Sequence, residues 1–379
     1  MANPALPNEP LRVEVRDRAG FDSLANDWPA LMTRTGHDAP FYSHAFLRCW
    51  LDAFAKEKPV RCIVVRDARG LRAALVLVER RDGFYGLPAT ILAGAANVHS
   101  ARFDLVAHAD DSPALQAIWS ALSELDWDVL ELPDVPPREG ALGAARELVE
   151  LAKAARRTTG LWESMQTPYI PLEVSKDALM ERLTAKFRSN LRRRRKKLAE
   201  QGEISFERFT GGPELDAKLE EGFALEAAGW KGREGTAISS DAATRAFYGA
   251  LAHASADSKS LSLFFLRAGG RAVAFYFALT HAGICALPKL GFDESLSQAS
   301  PGHLILEDVL ADCCDRNLRE FDFLGPNMPW KQEWTDKFRV HHWCYAFGDS
   351  LRGRALHAAK FKVAPGVKAT LQEVWPWKR

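Results

Sequence analysis

The chain has 379 residues, of which 47% are apolar, so it is long enough for two hydrophobic cores and too long for one small domain. Its 50 basic and 49 acidic residues leave a formal net charge of +1, which argues against a protein that coats nucleic acid through its overall charge. Six scattered cysteines without paired or zinc-type spacing predict free thiols in a reducing cytoplasm and no metal site. The N-terminus has no apolar signal core, and no apolar run approaches the about 20 residues that span a bilayer, so we expect a cytoplasmic protein without a transmembrane segment.

The first half of the chain alternates strand and helix signals. After a leader rich in Pro and Asn, the pattern predicts strands at residues 11–17, 61–66, 72–80, 89–92, 103–107 and 127–132. Helices are predicted at residues 21–33, 43–54, 112–125 and 139–157. Ser112 is expected to cap the third helix ahead of Pro113, and Pro133 to stop the last strand.

The second half repeats part of this order. It predicts helices at residues 176–200, 213–228, 241–254, 301–317 and 351–371. It predicts strands at residues 169–173, 261–266, 272–280, 283–291, 320–324 and 340–347, with Gly269 and Gly270 at a hairpin turn. Because both halves run hairpin, strand, helix, strand, we infer a structural duplication on an α/β plan.

The segment 186–197, KFRSNLRRRRKK, is strongly basic, since eight of its twelve residues are cationic. Leu183, Phe187, Leu191 and Leu198 form one apolar stripe at helical spacing, which predicts a helix docked on a core with its guanidinium groups turned outward. Two interpretations stay open at this point. The helix is either an ordinary solvated basic helix or a surface that faces phosphates.

A second feature is the segment 298–303, QASPGH, which opens the helix predicted at 301–317. Ser300 can cap this helix, Pro301 suits its first position, and Gly302 lets a ligand approach the backbone. The unpaired amides of a helix N-terminus can hold a pyrophosphate. The alternative is an ordinary Ser-Pro cap.

Two further segments suggest a pocket. Glu226 precedes the Gly-flanked pair Trp230 and Lys231, which indicates a loop that shapes a pocket, or alternatively a helix stop with a buried tryptophan. The strand 320–324 ends at a Gly-Pro turn and is followed by Lys331, and ligands commonly lie at such strand ends. In the alternative, Asp322 only caps the turn and Lys331 is a surface charge.

Together, the segments FRSNLRRRRKKL, LEAAGWKGREGTAI and FDFLGPNMPWKQEW resemble the CelD-type branch of the GNAT N-acyltransferase superfamily, often associated with cellulose or exopolysaccharide biosynthesis. The resemblance is best over residues 184–338. It implies two tandem GNAT-like domains, each a mixed sheet flanked by helices: a degenerate one over 1–165 and an acyltransferase domain over 166–379 that contains the basic helix 186–200. Fem-type peptidoglycan transferases share this tandem layout.

The resemblance implies an acyl-CoA donor in a splayed gap between the strands 283–291 and 320–324. The donor contacts that it implies are Ser300, Gly302 and His303 at the pyrophosphate, Leu290 on the strand, and Arg192 and Arg195 at the phosphates. Direct transfer requires a proton acceptor for the amine, for which Glu226 and Asp322 are candidates, and a stabiliser of the oxyanion, which the resemblance assigns to Lys331. Trp230, Lys231 and Trp330 would contact the acceptor substrate.

Three hypotheses follow. The first is an acyl-CoA-dependent N-acyltransferase acting on the amine of a small metabolite, sugar or amino acid, with no DNA partner. The second is a Fem-like aminoacyl transferase that uses charged tRNA, for which the basic helix would suit the RNA backbone. The third is a non-catalytic accessory protein of polysaccharide biosynthesis. It is favoured by a departure from the usual pyrophosphate fingerprint, because Ala, Ser and Pro separate Gln298 from Gly302.

Overall fold

The strands of this protein form a single mixed sheet. The computed structural model describes residues 10–140, 142–172 and 175–364. Its strands are β1 Arg12–Arg16, β2 Val60–Asp67, β3 Gly70–Phe84, β4 Leu87–Gly94, β5 Val129–Val135, β6 Thr159–Pro171, β7 Ile204–Phe209, β8 Leu261–Ala268, β9 Arg271–His281, β10 Ile284–Phe292, β11 Glu320–Asp322 and β12 Phe338–Phe347. Within the described residues, their order in the sheet is β1-β2-β3-β4-β5-β12-β6-β11-β10-β9-β8-β7.

Helices cover both faces of this sheet. They are α1 Arg18–Asp22, α2 Trp28–Thr35, α3 His44–Phe54, α4 Ser112–Ser123, α5 Ala144–Ala154, α6 Lys176–Glu181, α7 Ala185–Ala199, α8 Leu215–Ala228, α9 Trp230–Arg233, α10 Ala242–Asp257, α11 Pro301–Asp315, α12 Pro329–Gln332 and α13 Leu351–Ala358. A π-helical turn, Ala359–Val363, continues α13, while residues 365–371 of the predicted C-terminal helix lie outside the described residues. Among the described residues, none of the helices has the length and apolar character needed to cross a membrane.

Strand β6 joins the two parts of the sheet. Residues 159–168 of β6 pair with β12, and residues 169–171 pair with β11. Strand β12, although it comes near the end of the chain, also pairs with β5 of the first half. The expected boundary at residue 165 therefore falls inside β6, and the division into two domains stays a prediction.

Several elements and boundaries differ from those expected. Residues 103–107 form no strand and contribute only an isolated bridge between Ala74 and Val106. Strand β5 continues through Pro133. Proline has no N–H to donate, but the pairing with β12 is interrupted by a register shift opposite this residue, so no hydrogen bond of the sheet is lost there. Asp111, not Ser112, caps α4 by accepting a hydrogen bond from the Ala114 amide.

Two predicted helices are divided, and one strand was not predicted. The predicted helix 176–200 is two helices, because the Thr184 side chain caps α7 by accepting from the Phe187 amide at 3.2 Å. The predicted helix 21–33 is divided into α1 and α2. Strand β7 was not predicted; its ladder is formed with β8 of the distant hairpin.

The two sheet faces of the second half carry different helices. Helices α7 and α11 pack on one face through residues such as Phe187, Leu191 and Leu304. Helices α8 and α10 pack on the other through Phe223 and Phe247. Because side chains alternate along a strand, β10 presents residues to both faces.

Candidate active site

Neighbouring parallel strands part in the middle of the second half. Strands β10 and β11 pair only from Ile284 opposite Glu320 to Ala286 opposite Asp322. Strand β10 then continues beside β9 to Phe292. The segment that follows β11 turns away from it through Leu324 and Gly325, both of which have positive φ. A gap therefore opens between the two strands, as the resemblance implied.

A cavity of about 710 Å³ occupies this gap. It is lined by the end of β10, the start of α11, residues 323–331 and several residues of the first half. Eight residues expected at the site line it: Trp230, Lys231, Leu290, Ser300, Gly302, His303, Trp330 and Lys331. The other four, which are Glu226, Asp322, Arg192 and Arg195, are not among its lining residues.

The start of α11 forms one wall of the cavity. Ser300 has φ 46° and its hydroxyl donates to the Ser297 carbonyl at 3.0 Å, so it does not cap the helix as expected. The Tyr276 hydroxyl donates to the Gly302 carbonyl at 2.9 Å and fixes the helix start to β9. Since the first amides of a helix have no intrahelical acceptor, the Gly302 N–H is available to a ligand in the cavity.

His303 lies beside this helix start in a neutral form. Its Nδ1 accepts from Trp334 Nε1 at 3.0 Å, which leaves the ring proton on Nε2. Burial lowers the pKa of His303 to about 4, and the nearby charge of Arg194 acts in the same direction. Arg194 Nη1 is buried and has no hydrogen-bond partner among the described residues. The positive end of α11 and an unpaired guanidinium nitrogen therefore lie close together.

The basic helix α7 uses its cations in two ways. Arg195 binds Glu307 and Asp308 of α11, each at 2.8 Å, and Arg188 donates to the Leu183 carbonyl at 2.8 Å. Arg192, in contrast, is exposed. The stripe of Phe187, Leu191 and Leu198 is buried as predicted. Arg195 therefore docks the helix, while Arg192 remains available to an external anion.

Lys331 lies on the cavity wall and is only 5% exposed. Its Nζ donates to the carbonyls of Leu324 at 2.6 Å and Pro326 at 2.9 Å. The rings of Phe323 and Trp330 lie 5.9 and 5.8 Å from the same atom. Burial lowers the pKa of Lys331 to about 8, against the opposing effect of Asp322. This lysine is therefore a buried cation, not the surface charge of the alternative interpretation.

Asp322 is fully buried behind the cavity. It forms an ion pair with Arg102 of the first half and accepts a hydrogen bond from the Leu324 amide at 2.9 Å. Arg339 lies 3.9 Å from the same carboxylate. Asp322 thus holds the turn that carries Leu324 and connects it to the first half of the chain.

Glu226 is also buried, and both of its oxygens are engaged. One accepts from the Ile238 amide at 2.8 Å and the other from Lys231 Nζ at 3.0 Å. Lys231 donates in addition to the Leu290 carbonyl at 2.7 Å. Helix α8 can approach β10 this closely because Gly291 has no side chain, since a Cβ there would lie 2.6 Å from Glu226 Cα. Glu226 therefore positions Lys231 against the parted end of β10.

Trp230 is 43% exposed, so the alternative of a buried tryptophan at a helix stop is wrong. Its amide donates to Glu294 Oε1 at 2.7 Å, which holds the short helix α9 beside the cavity. The indole ring is left free to contact a ligand.

Sequence reasoning missed the part of the cavity that the first half and β10 contribute. Val98, His99, Asp134, Met165 and Lys289 all line it. Asp134 has φ 48° and accepts from Trp343 Nε1 at 3.0 Å, and burial raises the pKa of its carboxyl. The sequence did contain a signal for Asp134, because this residue follows the end of the predicted strand 127–132 and ligands commonly lie at strand ends.

Strained backbone also marks this cavity. Four of its lining residues other than glycine have positive φ: Ala101, Asp134, Ser300 and Leu324. Such conformations are uncommon for these residue types and concentrate at ligand-binding sites. Their presence around one cavity supports its assignment as the functional site.

Residues 185–332 match the model of an acetyltransferase (GNAT) domain. No curated protein matches the chain in sequence.

Three solved structures are similar to this chain. FemX has a TM-score of 0.57 at 12% identity, covering 82% of this chain and 93% of that one. The C-terminal domain of a putative lysylphosphatidylglycerol synthetase from Agrobacterium fabrum has a TM-score of 0.52 at 12% identity, and the match covers 93% of this chain and 97% of that one. A tandem GNAT protein from the clavulanic acid biosynthesis pathway has a TM-score of 0.48 at 15% identity, and the match covers 90% of this chain and 100% of that one. The mixed α/β fold expected from the sequence is confirmed, and residues 185–332 match a GNAT acetyltransferase domain.

Proposed function

We propose that the protein is an N-acyltransferase that moves an acyl group from an acyl-CoA, with acetyl-CoA as the simplest donor, to an amine of a small metabolite, sugar or amino acid. The observation that carries this proposal is the gap between β10 and β11, which opens into a cavity bounded by the α11 N-terminus and the Lys331 ammonium. Membership of the CelD-type branch, with a role in exopolysaccharide formation, belongs to the same proposal.

The donor is proposed to lie along the parted end of β10. Its pyrophosphate would meet the Gly302 amide at the positive end of α11, where anions are favoured. The buried Arg194 nitrogen would supply a further donor there, and the exposed Arg192 is available to the outer phosphate. Arg195 is left out of this assignment because Glu307 and Asp308 already engage it. The acyl group would then reach the gap beside Leu290.

The reaction is a direct transfer. The amine nitrogen forms a bond to the thioester carbon, the resulting oxyanion collapses, and the C–S bond breaks to release CoA as a thiolate. Lys331 would stabilise the oxyanion through its remaining N–H, in a partly dehydrated site where such a bond is strong. The amine proton needs an acceptor on the cavity wall, and Asp134 is the carboxylate that lies there. Glu226 and Asp322 would act indirectly, by positioning Lys231 and the Leu324 turn.

Transfer from a charged tRNA is a second candidate. It is favoured by the exposed side chains of Arg192, Arg193 and Lys196 on α7. Contacts of this kind to an RNA backbone weaken steeply as salt is raised.

Two measurements test the proposal. Release of CoA thiol is followed with acetyl-CoA and longer acyl-CoAs against a panel of amines, and the shift in Tm is measured with each acyl-CoA and with tRNA. Lys331→Met should lower kcat by about 100-fold, as loss of one oxyanion donor does, while the shift caused by the donor persists. The matched control is Lys337→Met, since Lys337 is 59% exposed.

Each outcome assigns a function. Stabilisation by an acyl-CoA with turnover that depends on Lys331 supports the proposal. Stabilisation by tRNA alone favours the aminoacyl transferase, and stabilisation by neither favours an accessory protein without catalytic activity.

A further inference from the structure

Lys289 on β10 lines the cavity, and its ammonium group has no hydrogen-bond acceptor among the described residues. The nearest carboxylate oxygen, Glu226 Oε1, is 3.9 Å from Lys289 Nζ and already accepts from Lys231. Its other close neighbour is the Tyr248 ring, whose centroid is 5.3 Å away. The side chain is only 13% exposed. A cation this buried is costly when its nearest carboxylate is this distant and is shared with Lys231, so the site favours a ligand that brings an anion.

The position of Lys289 separates this anion from the donor's phosphates. Lys289 contacts Glu226 of α8 and Tyr248 of α10, so its side chain lies on the sheet face that these helices cover. Helix α11 packs on the opposite face. The two anion-binding positions are therefore on opposite sides of the gap between β10 and β11.

The cavity also carries groups suited to an amine. The Asp134 carboxylate lines the cavity, as does His99, whose Nε2 donates to Thr244 Oγ1 at 3.3 Å because that hydroxyl donates to Asp241. Burial lowers the pKa of His99 to about 4, so the ring is neutral and its Nδ1 is an acceptor. One cavity thus offers an acceptor set for an amine and, for an anionic group, a cation without a hydrogen-bonded counter-charge.

We propose that the acceptor substrate carries a carboxylate or phosphate group in addition to its amine, and that Lys289 binds this anion. The proposal deepens the acyl transfer proposed above and rests on it for the identity of the bound amine as the acceptor. Lys289 then acts as a specificity-determining residue, because amines without the anion leave a buried cation whose nearest carboxylate oxygen is 3.9 Å away.

The experiment compares matched probes that differ only in the anion: L-ornithine with putrescine, L-phenylalanine with phenylethylamine, and glucosamine phosphate with glucosamine. Turnover of each probe with acetyl-CoA is measured for the wild type, Lys289→Met, Lys289→Arg and the control Lys153→Met, whose side chain is 68% exposed. Binding of each probe without a donor is measured by calorimetry on the same proteins. The amino acid and sugar phosphate pairs distinguish carboxylate from phosphate.

The wild type should prefer the anionic member of at least one pair by about tenfold or more in kcat/KM, the scale of a hydrogen bond to a charged group. Lys289→Met should remove this preference through a higher acceptor KM with an unchanged donor KM, and Lys289→Arg should restore part of it. Equal use of both members by the wild type, or an equal loss for both in Lys289→Met, would overturn the inference and leave acyl transfer standing. Anion-dependent binding that requires Lys289 in a protein without transferase activity would instead overturn the proposed function and leave the anion site standing. Absence of binding and turnover for every anionic probe would overturn the anion site.

Discussion

Lys331 has the environment that constrains the chemistry most closely. Its Nζ is held by the carbonyls of Leu324 and Pro326, which fixes the direction of the remaining N–H. Burial lowers the pKa of Lys331 to about 8, so the charge is lost at a lower pH than in an exposed lysine. A residue that must be protonated to stabilise an oxyanion therefore limits activity on the alkaline side.

This gives a prediction for the pH dependence of kcat. Below a pH of about 8 Lys331 is charged and kcat should be high, and as pH rises through about 8 the charge is lost and kcat should fall. In Lys331→Arg the side chain stays charged, so this fall should disappear although kcat is lower at every pH. Profiles of kcat between about pH 6 and pH 10 measure the effect. An unchanged alkaline fall in the variant would assign it to another group.

Glu226 gives a second prediction at this scale. In Glu226→Gln the Lys231 cation loses its counter-charge and an amide replaces one of two carboxylate acceptors, so the free energy of unfolding should fall by about 2 to 3 kcal/mol. Activity should fall by about tenfold without being abolished, because Glu226 acts through Lys231.

The double variant Glu226→Gln with Lys231→Met is the control. Removing both partners should recover part of the lost stability, and urea unfolding measures this coupling. Additive losses would mean that the two side chains do not act as a pair.

At the scale of elements, helix α7 uses one arginine to pack against α11 and leaves another exposed to bind a ligand. Arg195 lies against the acidic residues Glu307 and Asp308 of α11, while Arg192 is on the exposed side. The two residues have the same side chain in the same helix. They are therefore a matched pair for separating stability from ligand binding.

Arg195→Met should lower the free energy of unfolding by about 2 kcal/mol, because two half-buried carboxylates lose their partner. Arg192→Met should change stability by less than about 0.5 kcal/mol and instead raise the KM for the donor. Urea unfolding and donor KM are measured for both variants. The reverse pattern would contradict the assignment of the two faces.

What the sequence could predict follows from how local each signal is. The hairpin β8–β9, helix α11 and the buried stripe of α7 were predicted because their apolar periodicity is contained within each segment. The Thr184 cap that divides α6 from α7 and the Asp111 cap of α4 were missed because each depends on a single side chain. Strand β7 was missed because its ladder is formed with a distant hairpin.

The candidate site divides in the same way. Trp230, Gly302 and Lys331 were found because each lies in a motif with its own local signal. Asp322 was expected at the cavity, but its partner Arg102 is 220 residues away and cannot be recognised by spacing. Lys289 and Asp134 were missed for the same reason, since only the folded sheet brings both of them to the cavity.

At the scale of the whole molecule, the buried pair of Arg102 and Asp322 connects the first half of the chain to the turn beside the active cavity. Strand β12 connects the halves again, because it pairs with both β5 and β6. Both halves of the chain contribute to the cavity, because Val98, His99 and Ala101 of the first half form part of its wall.

This connection gives a prediction for Asp322→Asn. Removal of the carboxylate leaves the buried Arg102 cation without its main counter-charge, which should destabilise the protein by about 3 to 5 kcal/mol. Activity measured below the lower Tm should also fall, because the Leu324 turn orients Lys331. Adding Arg102→Met should recover part of the stability. A loss of activity without a loss of stability would instead support Asp322 as the proton acceptor.

The central claim is that the gap between β10 and β11 holds an acyl-CoA. The most direct measurement is a crystal structure of the complete chain with a non-hydrolysable acetyl-CoA analogue. The account predicts the pyrophosphate at the Gly302 amide, the acyl carbonyl within hydrogen-bond distance of Lys331 Nζ, and the pantetheine arm beside Leu290. An analogue bound elsewhere, or a gap that stays empty at saturating analogue, would contradict it.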